Sequence, residues 1–368
     1  MINFRFLLIC YIAIVTSVSC RDNNETDSNF EPFSNAGSLN GELAGHIVLG
    51  GILDGWILDL TTGDYTRIPG LELWDENPNY LGIASVTAFP VAFNNSEIIE
   101  TVEACHHIEN KIRSGNCIKI YNQNGDLIKH VNYGGSIVAS AKLSTDQTSE
   151  YIALARQYGD LATNTYLEIH DRSGNLVSEN IIDDTYAPIS FDWLPNNALV
   201  YTFEHSIYLT TALSTSGVSI IEFTSSEGKP KDIVVNPDGK QIAFKLVTSG
   251  SIGNNFGQIW VIDVDGSNLR QLTSVTDTEI ASARDPAWSP DGKWILVASG
   301  GFDGISVGNP GSPDILYAIP SDGEKVPLTI IDETSALPIL SYNSKIRGDK
   351  TPELSYKFQS SGNHAWLP

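Results

Sequence analysis

From residue 46 onward, short apolar runs with period-two alternation are separated by polar turn pairs, which predicts strands and no long helix. The unit is most legible at 284–296 (RDPAWSPDGKWIL) and at 231–244 (KDIVVNPDGKQIAF). Weaker copies stand at 92–100, 142–154 and 191–201. Each reads as a strand, a tight polar turn and a second strand. A third strand and another tight turn follow at 118–131, 166–178, 259–273 and 315–329. Asp-Gly and Asn-Gly pairs supply the positive φ that two-residue hairpins require. Self-similarity at this spacing indicates stacked four-stranded units, a, b, c and d.

Ala287-Trp288-Ser289-Pro290-Asp291-Gly292-Lys293, with Leu328-Thr329 closing the unit, resembles the TolB-type β-propeller repeat, as does Asn236-Pro237-Asp238-Gly239-Lys240 with Leu272-Thr273. The resemblance implies an all-β propeller over residues 46–368. It leaves function open, because such blades occur in scaffolds, peptidases and lyases. TolB carries an additional α/β domain, in whose place a short tether stands here, so its partners do not carry over. Turn landmarks at Asn94, Thr145, Pro195, Pro237, Pro290 and Pro368 give six blades, and the long last interval leaves room for a crowded seventh. Residues 364–368 (HAWLP) repeat an innermost strand, whereas 46–70 offers three strands without one. The C-terminal strand is therefore expected to pair with the N-terminal three and close the ring.

In such a blade the a–b and c–d turns lie on one side of the disc, and the b–c and d–a links on the other. The a–b and c–d turns are short here. The long segments are b–c, at 106–116, 156–163, 247–257 and 300–313, and d–a, at 70–83 and 330–362. Ordered loops longer than a turn needs are often functional. The candidate binding face thus comprises Trp74, Asp75, Glu76, His106, His107, Glu109, Arg156, Tyr158, Asp160, Asn254, Asn255 and Asp303.

Before the repeats, Phe6–Val15 is a ten-residue apolar run after a positive start, the layout of a signal peptide and too short to span a bilayer. Val18-Ser19-Cys20 resembles the end of a lipoprotein lipobox, although Ser17 stands where Leu, Val or Ile is usual. Cleavage after Ser19 without lipid is the alternative, and it leaves an odd exposed thiol; lipidation of Cys20 leaves the pair Cys105 and Cys117. Those two flank one b–c segment and form a disulfide in an exported protein, or stay as buried thiols. Residues 20–45 read as a polar tether. Arg21 after the cysteine points to the outer membrane under enteric-type sorting.

Composition narrows the partners. The chain has 44 acidic and 22 basic residues, a net charge of −22, so phosphate backbones are repelled and nucleic acid is excluded. Gly304-Ile305-Ser306-Val307-Gly308 fits a nucleophile elbow as a string, but Asn309-Pro310-Gly311 cannot open the helix that elbow needs. Histidines do not recur at equivalent positions, and no recurrent axial carboxylate is read either. His106, His107 and Glu109 would hold a metal only with help from another blade. Asp263–Asn268 opens like a calcium loop but lacks the closing glutamate, since position 274 is Ser274. Trp193, Trp288 and Trp366 read as packing between blades. The expectation is a monomeric, lipid-anchored envelope module that binds a protein or envelope component, touches the membrane through its anchor alone and needs no cofactor or metal. The alternative is a propeller lyase or hydrolase acting on an exported polysaccharide.

Overall fold

Alternation broken by Gly-containing turns builds antiparallel hairpins in series, because each turn returns the chain beside the strand it has just left. The computed structural model describes residues 43–50, 55–61, 65–67, 92–94, 97–102, 106–108, 111–113, 117–122, 127–133, 136–145, 150–158, 164–183, 189–248, 256–275, 282–300, 315–323, 325–328, 337–341 and 364–367. None of these residues is helical. Among them the strands form six four-stranded sheets and two two-stranded ribbons.

The first sheet holds β1 (His46–Gly50), β2 (Gly55–Asp59) and β3 (Tyr65–Arg67). The second holds β4 (Ala92–Asn94), β5 (Glu97–Val102), β8 (Cys117–Asn122) and β9 (Leu127–Asn132), with the hairpin β6 (His106–Ile108) and β7 (Lys111–Arg113) between β5 and β8. The third runs β10 (Ser136–Leu143), β11 (Tyr151–Tyr158), β12 (Thr165–Asp171) and β13 (Leu176–Asp183). In the fourth are β14 (Phe191–Trp193), β15 (Leu199–Phe203), β16 (Ser206–Thr210) and β17 (Gly217–Glu222). The fifth takes β18 (Lys229–Val235), β19 (Gln241–Thr248), β20 (Phe256–Asp263) and β21 (Arg270–Gln271). The ribbon strands β22 (Thr273–Val275) and β26 (Val326–Leu328) lie either side of β23 (Ser282–Trp288), β24 (Trp294–Gly300) and β25 (Ile315–Pro320) in the chain; β27 (Leu337–Ser341) completes the sixth sheet. Finally β28 (His364–Leu367) pairs antiparallel with β1, Ile47 opposite Trp366, and touches both β23 and β4.

One expected strand is placed differently. Residues 325–329 read as the fourth strand of the last repeat, but β26 pairs in parallel with β22, Thr273 opposite Val326. The edge of β25 is taken instead by β27, from the segment read as a d–a link. Val326 and Leu328 thereby join a core with Leu272 and Tyr317.

The core lies between consecutive sheets. Ile152 and Leu154 of the third sheet meet Ile99, Ile118 and Ile120 of the second. On its opposite face Leu167 and Ile169 meet Phe191 and Trp193 of the fourth. Period-two alternation thus serves two interfaces per sheet, which is why these strands carry apolar residues on both faces.

Candidate functional site

The two ends of the sheets are built differently. At the a–b end, Pro and Gly of successive turns interlock. Gly239 has φ +72°, and a Cβ there would stand 2.6 Å from Cδ of Pro195 in the preceding turn. Asn236 Oδ1 accepts the main-chain N–H groups of Lys240 and Gln241, at 2.9 and 3.1 Å. Ser289 Oγ accepts from Trp294 N at 2.9 Å in the next copy. This end carries turn chemistry. Asp263–Asn268 also forms a turn, with Gly266 N donating to Asp263 O at 2.8 Å.

Toward the other end, the first strands of the fifth and sixth sheets each carry a bulge. Pairing slips between Lys231 and Val234 in β18, and between Arg284 and Ala287 in β23. Asp232 and Asp285 occupy the two bulges at φ 51° and 52°, a left-handed conformation that Asp tolerates better than most residues. Both stand five residues before the turn proline, Pro237 or Pro290. Each follows a cation, Lys231 or Arg284, and Arg284 Nε lies 3.7 Å from Asp285 Oδ2. Lys245 of β19 is directly opposite Lys231 in the pairing and is 6% exposed. Its stem lies across Gly257, where a Cβ would meet Lys245 Cε at 2.4 Å.

These five groups share one field. Burial pushes the Asp232 carboxyl up to about 6, and the Asp285 carboxylate adds to that shift. Lys245, Lys231 and Arg284 oppose it. Two carboxylates thus stand at equivalent positions in the first strands of consecutive sheets. The signal was the shared offset from Pro-Asp-Gly-Lys in the two strongest copies. Among the described residues no group of three His, Cys, Asp or Glu side chains is arranged to hold a metal ion.

Of the face residues expected from sequence, Arg156 and Tyr158 lie within β11, which extends further than the alternation suggested. Arg156 is 8% exposed and does not present itself as a surface contact. Its Nη1 donates to Glu168 Oε2 at 2.8 Å, and its guanidinium stacks over the Tyr133 ring, 4.9 Å from the centroid. Glu168 is fully buried and also meets His170 Nε2 at 2.6 Å. A buried charge needs such partners, so this cluster belongs to the contact between the second and third sheets. His106 and His107 stand in β6, opposite Arg113 and Ile112. Cys117 is disulfide-bonded. Cys20, Trp74, Asp75, Glu76, Cys105, Glu109, Asp160, Asn254, Asn255 and Asp303 lie outside the described residues, as does the Gly304–Gly308 string.

Two of the three tryptophans expected to pack between sheets, Trp193 and Trp288, do so. Trp193 and Trp288 are buried, and their indole N–H groups donate to Lys142 O at 3.0 Å and Val234 O at 3.3 Å in the preceding first strand. Trp366 donates to Ala44 O at 2.9 Å.

No known family profile matches the chain. Cell division cycle 20.1 of Arabidopsis thaliana, a cofactor of the APC complex, is 26% identical over 134 residues, 36% of this chain. The chain thus spans about a quarter of the length of that relative, 26%. Among solved structures, a TolB-type protein of Agrobacterium tumefaciens superposes with a TM-score of 0.50 at 14% identity, over 82% of this chain and 90% of that one. The β-propeller domain of the trilobed protease of Pyrococcus furiosus gives 0.40 at 15% identity, over 74% and 72%. Oligogalacturonate lyase of Vibrio parahaemolyticus gives 0.39 at 12% identity, over 67% and 69%. At such identities the likeness is one of fold alone. With the all-β architecture, the TolB-type match supports a TolB-like β-propeller fold.

Proposed function

We propose that the chain is a lipid-anchored cell-envelope propeller that binds a protein or another envelope component. In this reading residues 46–368 form six blades, closed by β28 beside β1. A signal peptide ends at Ser19, Cys20 carries the lipid, and residues 20–45 are the tether, with the propeller in the periplasm or at the outer membrane. The observation that carries the reading is the difference between the two ends of the sheets. Turns at the a–b end are knitted together by proline, glycine and side-chain capping. The other end has fourteen residues between β5 and β8 and fourteen between β24 and β25, and the Lys231, Asp232, Lys245, Arg284 and Asp285 cluster lies toward it. Such an end offers contact area and charge beyond what hairpin turns need.

Metabolic labelling with a palmitate analogue tests the anchor: wild type takes up label and Cys20→Ala does not. Label absent from both would make the chain a soluble exported propeller. Binding is tested by replacing Lys231 and Arg284 with Ala, which weakens partner capture, whereas Lys240→Ala and Lys293→Ala leave it unchanged.

A second reading, a lyase or hydrolase on an exported polysaccharide, is favoured by one observation. Asp232, raised to about 6 beside Asp285, has the acid–base character such chemistry uses. Turnover of a polyuronate that vanishes in Asp232→Asn would support it.

A further inference from the structure

We propose that the end of the sheets bearing the a–b and c–d turns rests on a bilayer of zwitterionic phospholipid, through apolar side chains at the start of successive fourth strands. The inference goes beyond an anchor at Cys20 and rests on the lipid-anchored reading. Six of the seven large apolar side chains exposed among the described residues are Leu127, Ile128, Leu176, Val177, Val218 and Leu269. They recur at one place in four consecutive sheets. Leu127 opens β9, Leu176 opens β13, Val218 is the second residue of β17, and Leu269 directly precedes β21. Each therefore follows its c–d turn, on the strand farthest from the first strand of its sheet. Single exposed apolar residues are ordinary, but recurrence at one position in neighbouring sheets makes a surface.

The chain enters the first sheet at this same end. Val264 N donates to Lys240 O at 2.9 Å and Ser321 N to Lys293 O at 2.8 Å, each joining a c–d turn to the a–b turn beside it. In the first sheet the equivalent bond runs from Leu60 N to Gly45 O, at 3.0 Å. Gly45, directly before β1, thus stands where the other sheets have an a–b turn. A lipid on Cys20, pulling through residues 20–45, draws that end toward the bilayer and turns the b–c links away from it. The charges fit a zwitterionic surface. Asp171, Asp263 and Asp265 lie at the c–d turns, and hydrogen bonds from Asn175, Asn268 and Ser267 hold their carboxyls below the usual range. These carboxylates meet the ammonium groups of zwitterionic headgroups, while the leucine and valine side chains enter the acyl boundary. A net charge of −22 disfavours an anionic leaflet.

The test uses the lipidated full chain in phosphatidylcholine vesicles, with an environment-sensitive fluorescent residue at position 176, 269 or 181. Lipids brominated in their acyl chains are expected to quench the first two by about twofold or more and to leave the third unchanged. Ile181 is as exposed as Leu127 but stands farther along β13, roughly 17 Å from Leu176. Leu127→Ser, Leu176→Ser and Leu269→Ser together abolish quenching of a fluorophore at position 218 and leave the Tm unchanged, because these side chains are exposed. Phosphatidylglycerol vesicles quench positions 176 and 269 more weakly than phosphatidylcholine. If the chain floats with the vesicles but neither 176 nor 269 is quenched, the contact falls and the anchor stands. Quenching at 181 as strong as at 176, or stronger quenching by phosphatidylglycerol, also overturns the contact. So does sedimentation of Cys20→Ala as a dimer that the three serines dissolve, which assigns the surface to a second copy of the chain. If the wild type does not float at all, the anchored reading falls and the contact with it.

Discussion

The indole N–H of Trp193 donates to the main-chain carbonyl of Lys142, 3.0 Å away, and so fastens one first strand to the strand of the preceding sheet. The side chain is 1% exposed and packs with Phe191, Leu167 and Ile169. Its partner atom is main chain, so the bond holds whatever side chain stands at position 142. Trp193→Phe keeps much of the ring and leaves that carbonyl without its donor. The expected cost is about 1–3 kcal/mol, read from urea unfolding. Trp193→Ala adds a cavity and costs about 3–5 kcal/mol.

Two glycines in equivalent turns separate backbone strain from contact. Gly239 and Gly292 share φ +72°, but an added Cβ meets Pro195 Cδ at 2.6 Å in the first and Pro237 Cδ at 4.0 Å in the second. Gly292→Ala is expected to cost about 1 kcal/mol, the conformational penalty alone. Gly239→Ala costs more, by about 1–2 kcal/mol, because ring atoms of Pro195 must move. Equal losses in thermal unfolding would show that the turns do not interlock.

Glu168 has Arg156 and His170 as partners and no exposure to water. Arg156→Met removes the guanidinium from a buried carboxylate and is expected to destabilise by about 3–5 kcal/mol. Arg156→Met with Glu168→Leu recovers most of that loss, since neither charge then remains unpaired. A double-mutant cycle in urea measures the difference; additive losses would contradict the pairing.

Asp232 gives a pH prediction whose sign follows from the direction of its shift. Its folded pKa, about 6, lies above the unfolded value of 3.8, so the neutral form is favoured by folding. The contribution is fully present below the unfolded value and is lost as pH rises through about 6. Asp232→Asn mimics the neutral form. It is expected to raise the Tm by about 2 °C at pH 7.5 and to leave it nearly unchanged at pH 4. The opposite order would mean that the carboxylate is held by its cations and not penalised by burial.

The strands were legible where turn chemistry is local. Asp265-Gly266 and Asp291-Gly292 each mark their hairpin without help from the rest of the chain. The partner of Val326–Leu328 was not legible, because the hairpin signature before it says that the chain turns and not which edge is free. β27 takes that edge from outside the local repeat. Arg156 was misplaced for a related reason: polar residues after Tyr151–Ala155 look like the start of a loop until Glu168, twelve residues on, supplies the counter-charge. Asp232 and Asp285 were visible at one offset in two copies, but the bulges that hold them are a property of strand pairing.

The most direct test of the central claim, that recognition occurs at the end bearing the b–c and d–a links, is photo-crosslinking in cells. A photoreactive residue is placed at Asp160, in the link between β11 and β12, or at Lys240, in the turn between β18 and β19. The account predicts partner adducts from position 160 and none from position 240. Adducts from position 240 alone, equal adducts from both, or none from either would contradict it.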